Sequence, residues 1–247
     1  MAGPDVPPAD DRALEVVLRD ERNGPPPPGD ATPWDFVLRW PDAVVRERVW
    51  PIVSRLLIDA DATVRARAVE LVRDWSAGAD VTVPRLLEVA ENHAEKFRDQ
   101  PVDGVALRES LAHALSNRVD ADNGARIAAV LRTLATRAPV GGGAASVLGR
   151  YEPQFVTAQA QKWGDAQIDW IEEAARSLAL FRRDAIVPFL TALRGLSPAN
   201  RTRLLAAVEG YIKRDDATAT TLARGQGLPP PAKLAPTAAY LKSAIGL

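Results

Sequence analysis

Between residues 43 and 75 the apolar side chains recur at spacings of three and four, and no other feature of the chain restricts its fold as strongly. Val45, Val49, Ile52, Val53, Leu56 and Leu57 line one side of a helix predicted over about 43–58. A second stripe, Val64, Ala68, Leu71, Val72 and Trp75, follows a short acidic turn in which Asp59 or Asp61 can accept the free N–H groups that open the next helix. Both stripes need burial, so they are expected to face each other as a helical hairpin. Pro51 removes one backbone hydrogen bond and predicts a bend in the first helix. The segment Asp42-Ala43-Val44-Val45-Arg46-Glu47-Arg48 is echoed by Asp61-Ala62-Thr63-Val64-Arg65-Ala66-Arg67 at an offset of 19, one helix plus one turn.

The stretch from Pro51 to Leu71 resembles a HEAT repeat, with Pro51 in the first helix, Asp59 at the turn and Val64-Arg65 early in the second helix. The resemblance implies an all-α, HEAT-like α-solenoid of antiparallel helical hairpins, here of about ten to twelve helices. It also implies a structural Arg65, bonded to the turn aspartate or to the next repeat. A second hairpin is expected where Ile186, Leu190 and Leu193 precede Leu204, Leu205, Val208 and Ile212, with Pro188 repeating the role of Pro51. There Leu196 replaces the turn aspartate and Thr202 the arginine, so the aspartate–arginine ladder is interrupted.

Composition agrees with a helical core. Of 247 residues, 47% are hydrophobic and 6% aromatic, and alanine is abundant, which suits helices packed through small side chains. No sustained apolar–polar alternation bounded by hairpin turns is present, so no sheet is expected. The absence of cysteine excludes disulfides, thiolate metal sites and cysteine nucleophiles. No apolar run approaches the roughly 20 residues needed to span a bilayer, and the first residues carry no basic, apolar leader. A cytoplasmic protein without membrane contact is expected.

Residues 1–10 read as disordered and 11–226 as the helical array. Gly141-Gly142-Gly143 marks a candidate joint near 140–150. From 227 to 247 a proline-rich linker leads to a short C-terminal helix bearing Ala238, Leu241 and Ile245 on one face.

The residues that could carry chemistry are few, and no catalytic group, metal site or cofactor is assigned. His93 lies among apolar residues and reads as a packed, hydrogen-bonded side chain. Glu172 and Glu173 are consecutive, hence divergent on a helix, and read as a solvated face. The glycine run lacks the lysine and hydroxyl residue of a phosphate loop. Tryptophan and arginine are what protein interfaces enrich, and Trp34, Arg39 and Trp40, with Arg67 and Glu70 on a neighbouring helix, are the candidate partner-binding residues. At least one of Trp34 and Trp40 is expected to be partly exposed, while Trp50 and Trp75 are expected in the core.

Binding of another protein, as an adaptor, scaffold or inhibitor, is the leading expectation. The alternative is nucleic-acid binding, including the base-repair activity of some HEAT-like proteins. A formal net charge of -1 supplies no general attraction for phosphate. A local basic patch of Arg182, Arg183, Arg201 and Arg203 would have to serve instead.

Overall fold

The computed structural model describes residues 10–20, 35–98, 101–102, 105–136, 139–212, 216–230 and 237–247. The protein is all-α, and its chain divides into two compact units, Met1–Arg118 and Val119–Leu247.

In the first unit α1 (Asp11–Arg19) opens on an Asp10 cap and buries Leu14 and Leu18. A short α2 (Asp35–Leu38) precedes one unbroken helical run composed of α3 (Asp42–Val44), a π-helical turn over Val45–Val49 and α4 (Trp50–Leu56). The π-turn lies immediately before Pro51, whose ring cannot share space with the carbonyl four residues earlier. The widened turn relieves that clash, and the Trp50 N–H bonds Val45 O instead. α5 (Ala62–Asp74) begins where Asp61 accepts the Thr63 N–H at 2.8 Å. α4 and α5 pack together, α1 lies against both, and α7 (Leu107–Ser116) packs on α5 and on α6 (Ala79–Asn92). α6 ends at His93, which is half-buried at the helix terminus rather than on a packed helical face. A minimal antiparallel ladder, β1 (Pro101–Val102) with β2 (Val105–Ala106), pairs Pro101 with Ala106 and Val102 with Val105.

The second unit contains α8 (Gly124–Leu134), α9 (Gly142–Tyr151), α10 (Pro153–Ala160), α11 (Ile168–Phe181), α12 (Arg183–Ala192), α13 (Pro198–Ile212), α14 (Asp216–Gly225) and α15 (Ala238–Ile245). Contacts run between alternate helices. α11 lies between α9 and α13, while α12 lies between α10 and α15. Glu152 and Arg182 are the short turns that join α9 to α10 and α11 to α12. The Gly141–Gly143 run opens α9, with Gly141 at φ 91°, a conformation that glycine adopts without strain. α9 and α11 approach closely because Gly149 has no side chain. A Cβ there would stand 2.9 Å from Ala174 O and 3.1 Å from Ser177 Cβ.

The last part of the unit doubles back on itself. Ala219 and Ala223 of α14 pack with Leu180 and Phe181, and Tyr211 and Leu228 border them. The Gln226 amide nitrogen donates to Val119 O, and the Gln226 side-chain oxygen accepts from Arg150 at 2.8 Å. The Tyr151 hydroxyl donates to Gln226 O. α15 is seated on α12 and α13 with Leu241, Ala244 and Ile245 buried.

Candidate protein-binding surfaces

Among the described residues, the partner-binding side chains expected from the sequence differ in exposure. Trp34 lies outside the described residues. Trp40 is 4% exposed and belongs to the core, where the chain turns before Pro41 and the Trp40 N–H bonds Val37 O at 3.1 Å. Arg39 is exposed. Arg67, expected to be free for a partner, donates from Nη1 to Arg19 O at 2.8 Å and faces the Asp20 carboxylate at 4.0 Å, so it holds the end of α1. Glu70 is half-buried on the same helix.

Trp75 is buried as expected, whereas Trp50 is only half-buried. Their rings lie 6.0 Å apart at a 52° tilt, and the Arg46 guanidinium sits 5.6 Å from the Trp75 ring centre. Trp75 Nε1 donates to Asp42 at 3.1 Å. Arg46 donates to Asp42 at 2.5 Å, to both Asp80 oxygens at 2.9–3.0 Å and to Ala77 O at 2.6 Å. These bonds hold Asp42 and Asp80 below the usual carboxylate range. Trp50 stands at the edge of this clamp with Pro51 and Arg55 exposed beside it.

The four arginines expected as a basic patch are each engaged within the protein, and of them Arg203 alone is exposed while Arg183 is buried. Arg183 is 3% exposed and donates to Ala179 O and Ile212 O. Arg182 pairs with Asp184 and reaches Arg150 O. Arg201 donates to Ile245 O and to Gly246 O, the latter at 2.6 Å. Arg203 donates to Asp169 at 2.6 Å and forms an ion pair with Glu172. The same use of cations recurs in the first unit. Arg118 donates to the carbonyls of Val72 and Arg73, Arg85 to Ser54 O at 3.0 Å, and Lys96 to Ile58 O. A helix ends in unbonded carbonyls and a partial negative charge, so a cation from a neighbouring element satisfies both.

Arg65 is 2% exposed and its Nη1 donates to Asp59 O at 2.7 Å and Ala60 O at 2.9 Å. It therefore bonds the backbone of the turn. The Asp59 carboxylate is engaged by Arg19 at 2.7 Å and by the Asp61 N–H at 3.0 Å. In the second unit, where the turn before α13 lacks an aspartate of its own, Asp165 reaches in from the single helical turn that precedes α11. Its carboxylate accepts from Ser197 N and Oγ at 3.1 Å each and from Asn200 Nδ2 at 2.6 Å.

Glu172 is 5% exposed, in contrast to the solvated face expected for it. Arg176, one turn further along α11, donates to Glu172 and to Glu173, and Arg203 of α13 completes the group. Arg176 lies 5.9 Å from the Tyr211 ring centre, and Trp163 meets Trp170 edge-on at 4.2 Å. The i,i+4 spacing of Glu172 and Arg176 was the signal for this pairing; the arginine from α13 had none.

An open groove of about 400 Å³ runs between α10 and α12. Pro153, Gln154, Thr157 and Gln161 line it from one helix, Asp184 and Pro188 from the other. Gln154, Thr157 and Gln161 carry uncharged amides and a hydroxyl, able to donate and to accept. Asp184 is already paired with Arg182. With Ala158, Ala185 and the two prolines, the groove is chiefly apolar and carries a few hydrogen-bonding groups. Among the described residues no group of three or more His, Cys, Asp or Glu could hold a metal ion, and no helix is long and apolar enough to cross a membrane. No family model, curated protein or solved structure matches the chain.

Proposed function

We propose that this protein is a non-catalytic binding module for another protein, built as a HEAT-like α-solenoid and acting as an adaptor, scaffold or inhibitor. The contacts of α9, α11 and α13 in one row and of α10 and α12 in the other are what stacked helical hairpins produce. The capped turn at Asp61 and the buried Arg65 beside it suit the HEAT resemblance.

The observation that carries the binding role is the α10–α12 groove. It lies between α10 and α12, and it pairs an apolar lining of Pro153, Ala158, Ala185 and Pro188 with Gln154, Thr157 and Gln161, which can hydrogen-bond the polar backbone of an incoming segment. For nucleic acid the support is weaker, since Arg182, Arg183, Arg201 and Arg203 already donate to carbonyls and carboxylates of the protein itself.

The test starts from a partner identified by pull-down from native lysate. Thr157→Arg and Ala185→Arg place bulk and charge in the groove from exposed or half-buried helical positions. Each is expected to weaken binding of that partner at least about tenfold, roughly 1.4 kcal/mol, with little change in thermal stability. Parent-like affinity in both variants removes the groove from the interface.

A further inference from the structure

The seat of α15 shows what kind of ligand the surface of α12 and α13 accepts, because a ligand of that kind occupies it. α15 is eight residues long, below the length at which an isolated helix is stable in water, so its helical state depends on the seat. It contributes three buried side chains, Leu241, Ala244 and Ile245, spaced i, i+3 and i+4. Its carboxyl end is held by two arginines. Arg194 donates to Ala244 O and to Ser243 O, both at 2.8 Å, and Arg201 donates to Ile245 O and Gly246 O. Gly246 closes the helix at φ 79°, and a Cβ there would meet Arg201 Nη1 at 2.9 Å.

Every one of these polar bonds goes to a backbone carbonyl of α15. The seat therefore reads an apolar triplet and a helix end, features that many helices share, and no side chain unique to this one. On α15 Tyr240 is 57% exposed, and Leu247, beyond the helix end, is 46% exposed. From Gly227 to Thr237 the connection contains Pro229, Pro230, Pro231 and Pro236.

We propose that the α12–α13 surface is a helix-receiving site that the chain fills with its own C-terminal helix. The partner it fits is an amphipathic helix with small or aliphatic residues at i, i+3 and i+4 and an open carboxyl-terminal turn for Arg194 and Arg201. Such a helix displaces α15. Because α15 is tethered by about ten residues, its effective concentration at the seat is on the order of millimolar, and a competitor in trans must bind more tightly than that. The site is distinct from the α10–α12 groove, and its occupancy does not depend on that reading.

The probe is a labelled peptide of residues 237–247, added to the full chain and to the full-length double variant Leu241→Asp, Ile245→Asp, which releases the tail. Binding to the variant is expected to be at least about tenfold tighter than to the parent, and to fall again when Arg194→Ala and Arg201→Ala are added. A peptide carrying the same two aspartates should not bind. Equal binding to parent and variant, or none to a variant whose circular dichroism remains helical, overturns the proposal. Hydrogen exchange on the parent supplies an independent measurement that needs no core substitution. The α15 amides are expected to exchange at least about tenfold faster than the α12 and α13 amides, and equal protection shows α15 to be a fixed part of the unit.

Discussion

Arg65 brings a full positive charge to a site that is 2% exposed, and burial lowers its pKa. Two carbonyls of the turn, Asp59 O and Ala60 O, offset that desolvation, and Asp59 and Asp61 stand nearby as counter-charges. Arg65→Ala is expected to destabilise the first unit by about 2 kcal/mol or more, because both carbonyls lose a charged donor and a buried side chain is removed. Urea unfolding measures it, and a loss below about 0.5 kcal/mol would show that the turn holds without the arginine. The structural character of Arg65 was legible from the Pro51–Leu71 pattern. Burial of Glu172 was not, because two consecutive acids look like surface until Arg176 and Arg203 close over one of them. Trp40 misled in the opposite direction. Its neighbours Arg39 and Pro41 suggest an edge, and the ring lies in the core.

At the scale of elements, helix packing here depends on which positions lack a side chain. Gly149 lets α9 meet α11 at the Ala174 carbonyl, whereas Gly210, near the end of α13, has open space around its missing Cβ. The two glycines should therefore respond oppositely. Gly149→Val is expected to cost about 1–3 kcal/mol through overpacking. Gly210→Ala is expected to add about 0.5–1 kcal/mol through helix propensity. Urea midpoints of the two variants against the parent decide it, and a stabilising Gly149→Val would refute the close-packing account. Helix positions and their caps follow from local spacing, as Asp61 before α5 shows. The π-turn over Val45–Val49 did not, although its cause, Pro51, was visible: a bend was expected, and the chain widened a turn to accommodate the ring.

Across the whole molecule the cations are distributed among helix ends and carboxylates, and several carboxylates are correspondingly acidic. Arg46 bonds hold Asp42 and Asp80 down, and for Asp165 the Asn200 amide acts first and the Ser197 N–H next. Burial pushes Asp59 up, but the Asp61 N–H and Arg19 outweigh it, so its pKa is also lowered. A carboxylate more acidic when folded stabilises the fold above its unfolded pKa of about 3.9 and loses that contribution as pH falls through the folded value. Stability should thus fall on acidification below about pH 4, and Asp165→Ala should flatten the acid limb. Urea midpoints collected from neutral pH to about pH 2.5 test this, and an unchanged or rising midpoint in acid would contradict it.

The sequence by itself determined the all-α class, the hairpin of α4 and α5, the capped turn between them and the absence of thiol chemistry, because each depends on neighbours within a few residues along the chain. Only the tertiary structure decided where the charges go. Arg67 on Arg19 O, Arg183 on Ile212 O, Arg194 and Arg201 on the end of α15, and Asp165 on Ser197 and Asn200 all join residues far apart in the chain. A helix terminus attracts whichever cation the packing brings within reach, and no local spacing records which one that is. For the same reason composition could place arginines on a candidate binding surface, while in the fold Arg182, Arg183, Arg201 and Arg203 bond carbonyls and carboxylates of the protein itself.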